Sequence, residues 1–363
     1  MPRQSQQRLR ACYSPLAAQN SRFASQRGKL GICSPKSVPS FPVGPERVGY
    51  AVGFGGMNAV VPVPDATAAT EQPRKGVNMP NKTYEITTED VEYLRHGDNR
   101  LIARLYKPTG DGPFPAVIDL HGGAWTSGDL TGTQGLDETL ARNGFVVASL
   151  NFRHAAEGYP NSLIDINYAI RWIKSRASQL KIRPDQIGIA GQSSGGHLAM
   201  LAAMRPSDSR YASVPLPAGS PSVDATVRAV AMSWPVINPL SRYRHAQKLG
   251  KGPNPPAFTV GMKEKHDTYW KTEAAMTEGN PMLILERGEK VSMPPSLWVQ
   301  GRPDIVHDYH DDDSDFPGNE PERFVSNYRK AGGDIEIVYV DNEKRSTSAS
   351  FDPVAAFFHR HLG

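Results

Sequence analysis

The strongest chemical signal in this 363-residue sequence is a serine flanked by closely spaced glycines. The segment Gly191-Gln192-Ser193-Ser194-Gly195 lies between an apolar run at 187–190 and a segment from His197 that has helical character. A serine on a sharp strand-to-helix turn exposes its hydroxyl, and the crowded backbone there requires small neighbours. The N-terminus of the following helix adds free N–H groups where negative charge develops. No lysine follows as in a phosphate-binding loop, so we predict that Ser193 is a nucleophile.

A second glycine-rich loop has the features of an oxyanion hole. His121-Gly122-Gly123-Ala124-Trp125 follows an apolar run at 116–120, and a glycine pair in that position lets backbone N–H groups turn toward one anion. One such donor commonly contributes roughly 10²–10³ in rate. The predicted donors are the N–H groups of Gly122, Gly123, Ala124 and Ser194. We expect His121 to brace the loop and Trp125 to line the substrate pocket, with cover of a hydrophobic edge as its alternative.

The elements that must position these loops alternate between strands and helices from about residue 82 onward. Two segments joined by a polar turn predict strands at 83–94 and 101–106. Apolar runs predict further strands at 116–120, 145–150, 187–190, 227–234, 297–299 and 335–340. Helical spacing or composition predicts helices at 136–143, 163–180, 197–204, 320–330 and 354–362. This alternation indicates an α/β fold with a mostly parallel sheet covered on both faces. Residues 238–293 interrupt it, and we expect them to form a cap or insertion over the sheet edge that binds ligands in such folds.

The two loops occur in this order about 70 residues apart, with Asn151-Phe152-Arg153 and Asp165…Arg171-Trp172 between or beside them. In this combination the sequence resembles the α/β-hydrolase superfamily, in particular the esterase/lipase branch related to hormone-sensitive lipase. Its His-Gly-Gly-x-Trp loop is similar to a variant in kynurenine formamidases. The resemblance covers roughly residues 100–363 and is densest at 116–205. It implies a central parallel sheet, a Ser–acid–His triad in that chain order, and hydrolysis of esters or amides through an acyl-enzyme.

The resemblance also implies where the acid and the histidine belong. The acid follows the next-to-last strand, where Asp304 matches and Asp308 is the second choice. The histidine follows the last strand, but residues 341–347 contain none. A serine hydroxyl near neutral pH needs a base, so three explanations stay open. His307 or His310 substitutes as the base, another group such as a carboxylate supports weak hydrolysis, or the chain is a degenerate hydrolase that binds ligands. We carry His307 forward as the candidate base.

The same histidines stand in a run of aspartates that contains metal-ligand types. His307 and His310 are three residues apart, with six aspartates between 304 and 315. Such ligand types can hold a metal, but an acidic run is more often a solvated loop, and the glycine-centred pattern of a calcium hand is missing. We therefore predict no metal, and the proposed chemistry needs no cofactor.

Composition excludes several classes of protein. Hydrophobic residues make up 39% of the chain and charged residues 21%, which is enough apolar material for a sizeable core. The net charge of +4 is uneven: residues 1–45 hold seven Lys/Arg and no acid, whereas the remainder holds 34 bases and 37 acids. A basic nucleic-acid-binding body is therefore not expected. Both cysteines, Cys12 and Cys33, lie in the basic stretch, so the remainder can form neither a disulfide nor a cysteine zinc site. No apolar run is long enough to predict a membrane-spanning helix.

We expect residues 1–81 to be a disordered or loosely ordered extension and residues 82–363 to be the hydrolase domain. Residues 1–45 are interpreted as a disordered tail or as translated sequence ahead of a later start such as Met57, with an organellar targeting peptide as the alternative. No secretory signal is predicted, and the expected location is cytoplasmic. The predicted function is hydrolysis of a carboxylic ester through an acyl-enzyme, with a small-molecule ester or amide as the substrate. The alternatives are an amide hydrolase of arylformamidase type and a non-catalytic ligand-binding protein; the oligomeric state is not predicted.

Overall fold

The described part of the chain is residues 83–363 of a computed structural model. These residues all belong to one structural unit. The predicted extension at 1–81 and both cysteines lie outside the described residues.

An eight-stranded sheet forms the centre of this unit. In chain order its strands are β1 (Ile86–His96), β2 (Asn99–Pro108), β3 (Phe114–Leu120), β4 (Val146–Leu150), β5 (Ile182–Gln192), β6 (Ala229–Ser233), β7 (Ser296–Arg302) and β8 (Ile335–Asp341). Their spatial order is β1-β2-β4-β3-β5-β6-β7-β8. The pairs β1–β2 and β2–β4 are antiparallel, and every other neighbouring pair is parallel. The predicted mostly parallel sheet of an α/β-hydrolase fold is thereby confirmed.

Helices cover both faces of the sheet, which explains the continuous apolar runs of the central strands. The helices are α1 (Gln134–Arg142), α2 (Asn161–Ser175), α3 (Ala177–Leu180), α4 (Ser194–Met204), α5 (Pro239–Gly250), α6 (Met262–Trp270), α7 (Glu273–Glu278), α8 (Pro281–Glu286), α9 (Glu320–Lys330) and α10 (Ser348–Leu362). Every residue of β4 and of β6 is buried. One core cluster contains apolar side chains of α2 and α4, and a second contains those of α1 and α10.

Two helices differ most from the sequence expectation. The helix predicted over 163–180 is interrupted at Arg176, where φ is −102° and ψ is 13°, so it forms α2 and the short α3. The last helix begins six residues before the predicted start at 354. Pro353 lies within the second turn of α10, although proline lacks the N–H that an interior helix residue donates.

Four helices, α5 to α8, form the segment that the sequence predicts as a cap or insertion. Two of them start with an Asn-Pro pair: Asn238 accepts a hydrogen bond from the Ser241 N–H and Asn280 accepts one from the Leu283 N–H. An asparagine N-cap followed by proline is a recognised helix start, so these two helices had a readable signal in the sequence. Among residues 83–363, no helix is both long enough and apolar enough to cross a bilayer.

Candidate active site

Ser193 occupies the sharp turn between the end of β5 and the start of α4. Its φ of 52° and ψ of −116° lie in a region that residues other than glycine seldom adopt, at a cost on the order of 1–3 kcal/mol. Glycines make this turn possible, because a Cβ on Gly195 would lie 2.1 Å from the carbonyl oxygen of Leu120. A Cβ on Gly191 would lie 2.4 Å from the carbonyl oxygen of Gly195. The turn leaves Ser193 partly exposed at the carboxyl end of the sheet.

His307 contacts the Ser193 hydroxyl from the loop that follows β7. Its Nε2 lies 3.1 Å from Ser193 Oγ, and its Nδ1 lies 2.8 Å from Oδ2 of Asp304. The carboxylate accepts the proton on Nδ1, which leaves Nε2 as the acceptor for the serine hydroxyl. Acid and base are three residues apart on a single loop, and both are buried. The structure therefore brings together Ser193, His307 and Asp304 as a hydrogen-bonded chain.

A tight turn at Asp304 directs the histidine back toward the serine. Asp304 Oδ1 accepts hydrogen bonds from the N–H groups of Val306, at 2.9 Å, and His307, at 3.3 Å. Oδ2 also accepts a hydrogen bond from the side-chain amide of Gln300 at 3.3 Å. The carboxylate thus organises the backbone that carries His307 in addition to binding its ring.

Burial and neighbouring charges give these two groups the protonation states that a general base requires. Burial lowers the pKa of His307 to about 4, and the hydrogen bond to Asp304 opposes that change only in part. Burial raises the pKa of Asp304, but hydrogen bonds from His307 and Val306, with the charges of His307 and Arg345, together hold that pKa below its usual value. Near neutral pH His307 is therefore uncharged and Asp304 is ionised.

The other two candidates from the acidic loop have different partners. Asp308 forms an ion pair with Arg302 and accepts a hydrogen bond from the amide of Asn319 at 2.8 Å. His310 is exposed, and its Nδ1 donates to the carbonyl oxygen of Gly318 at 3.0 Å. Neither contacts Ser193 among the described residues. Several remaining aspartates of the loop form ion pairs with basic side chains.

The loop predicted to form the oxyanion hole packs against the nucleophile turn. A Cβ on Gly122 would lie 3.3 Å from the Cβ of Ser193, so the two backbones are in close contact. The loop turns through positive φ angles, including 114° at Gly123 and 52° at Ala124. Within the described residues, none of the predicted donors takes part in the hydrogen bonds of loops and turns. One of the predicted donors, the N–H of Ser194, belongs to the first residue of α4.

His121 braces this loop, as the sequence analysis expects. Its Nδ1 donates to the carbonyl oxygen of Gly122 at 2.8 Å. Its ring stacks on Phe152 with the centroids 4.4 Å apart. His121 is buried. In the part of the chain that the structure describes, the Ser193 hydroxyl contacts His307 and not His121.

Trp125 does not line an open pocket, and that expectation is corrected here. Its φ of 60° turns it into the protein, where only 2% of the residue is exposed. The indole Nε1 donates to Nδ1 of His197 at 3.2 Å, and the ring packs between aromatic side chains of α6 that include His266 and Trp270. The alternative, cover of a hydrophobic region, describes its surroundings better. Trp125 thus anchors the predicted oxyanion loop to α4 and α6.

Two arginines near the triad were missed by sequence reasoning. Arg345 lies in the loop after β8, where the resemblance implies a histidine, and its Nη1 is 3.1 Å from Asp304 Oδ2. Arg242 of α5 is buried and donates from Nη1 to the carbonyl oxygen of Val306. Only the position of Arg345 offered a signal, because that loop was already singled out for its missing histidine.

Comparison with known proteins places the chain in a family. The family model BD-FAE matches residues 104–307, which is more than half of the chain. The chain belongs to this family. The matched region ends at His307, so it includes the glycine-rich loop, the serine turn and the acid–base loop.

Individual relatives are similar to parts of this chain. Esterase LipQ of Mycobacterium tuberculosis is 30% identical over 163 residues, which cover 44% of this chain and 38% of LipQ. The gibberellin receptor GID1A of Arabidopsis thaliana is 26% identical over 258 residues, which cover 66% of this chain and 64% of the receptor. The chain spans about a third of the length of the mycobacterial esterases that it matches.

Solved structures establish the fold. The carboxylesterase EstE1, cloned from a metagenomic library, superposes with a TM-score of 0.58 at 23% identity, covering 77% of this chain and 91% of EstE1. Carboxyl esterase 2 of the fungus Tuber melanosporum has a TM-score of 0.58 at 19% identity, covering 78% and 90% of the two chains.

Proposed function

We propose that this protein hydrolyses a carboxylic ester, with Ser193 as the nucleophile and an acyl-enzyme as the intermediate. The observation that carries the proposal is the chain of contacts from Ser193 Oγ through His307 to Asp304, with distances of 3.1 and 2.8 Å. Names of relatives such as esterase LipQ support an ester as the substrate class. No cofactor takes part in this chemistry.

In the first half-reaction, Ser193 Oγ attacks the carbonyl carbon of the ester while its proton moves to His307 Nε2. The electron pair of the carbonyl bond moves to its oxygen, which accepts hydrogen bonds from the loop N–H groups and from that of Ser194. Collapse of this intermediate breaks the bond to the alcohol oxygen, and His307 donates its proton to that leaving oxygen. The acyl group remains on Ser193, and Asp304 stays ionised and stabilises the transient imidazolium.

In the second half-reaction, water replaces the alcohol. His307 Nε2 takes one proton from the water as its oxygen attacks the acyl carbon. When the new intermediate collapses, Ser193 Oγ leaves and regains its proton from His307. The products are a carboxylic acid and the free enzyme, so the proton count balances over the cycle.

Steady-state hydrolysis of p-nitrophenyl acetate tests the proposal. Ser193→Ala is expected to lower kcat by about 10⁴-fold or more, because the nucleophile is lost while the rest of the site remains. Ser178→Ala, at an exposed serine of α3, is the matched control and is expected to retain wild-type kcat. Activity that survives Ser193→Ala would overturn the assignment of the nucleophile.

A ligand-binding protein without turnover is the second candidate, because the matched relatives include a plant hormone receptor. The buried, hydrogen-bonded His307 favours the enzyme over the receptor, since binding alone needs no base at Ser193. Wild-type protein that binds a small ester but neither hydrolyses it nor forms an acyl-enzyme would support the receptor alternative.

We also propose that residues 238–293 form an insertion within a hydrolase domain at 82–363 and cover the site. Two contacts support this: Arg242 donates to the carbonyl oxygen beside His307, and His266 packs on the tryptophan of the oxyanion loop at a ring distance of 5.1 Å. Substitutions on α5 and α6 that change KM for long esters more than for acetate would support the assignment. Equal effects on both esters would contradict it.

A further inference from the structure

The loop after β8 brings a guanidinium to the acid of the candidate triad. Arg345 Nη1 lies 3.1 Å from Asp304 Oδ2, the oxygen that also binds His307 Nδ1. In the resembled family this loop supplies the histidine. In this chain the histidine comes from the acid's own loop, and the loop after β8 contributes an arginine.

Arg345 is held in this place by its surroundings as well as by the ion pair. Its guanidinium carbon lies 5.0 Å from the centre of the Trp234 ring, within the range of a cation–π contact. Its stem packs on Gly301, where an added Cβ would lie 2.8 Å from Arg345 Cδ. The side chain is 29% exposed, so its charge is only partly screened by solvent. Contacts with Gly301 and Trp234 thus hold the Arg345 side chain in place.

The charges that face His307 come from three elements. Asp304 on its own loop is negative, whereas Arg345 after β8 and Arg242 on α5 are positive. The fourth neighbour, the Ser193 hydroxyl, is neutral. The negative charge of Asp304 stabilises the imidazolium form of His307. The positive charges of Arg345 and Arg242 both destabilise it.

We propose that Arg345 is a positioning residue that fixes the Asp304 carboxylate against the His307 ring. The expected changes in kcat and kcat/KM rest on the proposed function, whereas the expected change in the pKa of His307 does not. By sharing Oδ2 with His307, Arg345 locks the rotation of the carboxylate and takes up part of its negative charge. Arg345 lies on the acid and not on the serine, so substrate affinity does not depend on it.

The experiment titrates His307 by NMR in protein with isotope-labelled histidine, with His307→Gln used to assign its signal. Arg345→Met keeps the stem on Gly301 but removes the charge, and Arg345→Lys keeps the charge. In Arg345→Met, loss of a partly screened cation is expected to raise the pKa of His307 by about one unit. In Arg345→Lys, the pKa of His307 is expected to lie close to the wild-type value, because the charge is kept. Arg360→Met, which removes a surface arginine paired with Glu336, is the control and leaves the titration unchanged.

Kinetics on the same variants provide the second readout. In Arg345→Met, the acid limb of kcat/KM is expected to shift to higher pH together with the His307 titration. We also expect kcat to fall by about tenfold while KM stays constant. If the variant only lowers the melting temperature while titration and acid limb are unchanged, Arg345 is merely structural and the proposal is wrong. If wild-type protein shows no hydrolysis that depends on Ser193, the proposed function fails, and the NMR titration still decides the role of Arg345.

Discussion

Replacing His307 with glutamine removes the proton acceptor while leaving a polar side chain of similar reach beside Ser193. Within residues 83–363, His307 is the base whose side chain contacts Ser193 Oγ, and its Nε2 is 3.1 Å away. Without it the serine must lose its proton to water, and only the oxyanion hole and substrate binding remain. We expect kcat to fall by about 10⁴-fold, which corresponds to about 5.5 kcal/mol in the activation free energy. Because His307 makes no contact that binds the ester before attack, KM should change little.

The assay is steady-state release of p-nitrophenol from p-nitrophenyl acetate, with thermal unfolding to show that the variants fold. His310→Gln is the matched control, because His310 is an exposed histidine three residues further along the same acidic loop. It is expected to retain wild-type kcat. Two results would refute the assignment: substantial activity in His307→Gln, or a large loss in His310→Gln. Either one would mean that another group takes the proton from Ser193.

Three further predictions follow from the charges. Because burial lowers the pKa of His307 to about 4, kcat/KM should fall as pH decreases through about 4, and an acid limb near the ordinary value of 6.5 would contradict this. Asp304→Asn removes the charge that stabilises the imidazolium, so kcat should drop by about 10⁴-fold with KM nearly unchanged; a loss below tenfold would show that the acid is dispensable. Burial raises the pKa of Asp137 well above its usual value, and the charge of Asp119 raises it further. The folded protein therefore holds a proton that the unfolded chain releases above about pH 3.9, and stability falls as pH rises. Asp137→Asn should raise the free energy of unfolding at pH 8 by about 1 kcal/mol or more, measured by denaturant unfolding between pH 5 and 9, and a destabilised variant would contradict this.

The serine turn could be predicted because its physical requirements are local. A strand, a turn with small residues and a helix follow one another directly around Ser193, so spacing and residue type were sufficient. The same holds for the parallel strands, whose continuous apolar runs reflect burial on both faces. The loop after β3 was equally readable as a turn, because a glycine pair directly follows an apolar run there.

The base was harder to predict because its position depends on a contact between distant segments. Ser193 and His307 are 114 residues apart, and they meet only because the chain turns back immediately after Asp304. That turn is organised by hydrogen bonds to a carboxylate, which spacing alone does not reveal. The resemblance directed attention to the loop after β8, where the structure has Arg345. His307 was one of two candidates on the acidic loop, and nothing local distinguished it from His310.

Trp125 illustrates a second limit. Its place at the end of the predicted oxyanion loop suggested contact with substrate. The direction of its side chain instead depends on the positive φ of its backbone and on packing against α6, which begins more than 130 residues later in the chain. The helices of that segment were also missed individually, although Asn238 and Asn280 mark two of their starts. The direction of the Trp125 side chain is set by packing between distant segments, and the periodicity of the nearby sequence contains no signal for such packing.

The central claim is that His307 and Asp304 activate Ser193 as a nucleophile. Reaction with a fluorophosphonate, followed by mass spectrometry of the modified peptide, measures this activation directly, because the activated oxygen displaces fluoride and stays bonded to phosphorus. The account predicts a stoichiometric adduct on Ser193 in the wild-type protein, labelling slowed by orders of magnitude in His307→Gln, and no adduct at that peptide in Ser193→Ala. An unlabelled wild-type protein, or labelling of Ser193 at the same rate without His307, would contradict it.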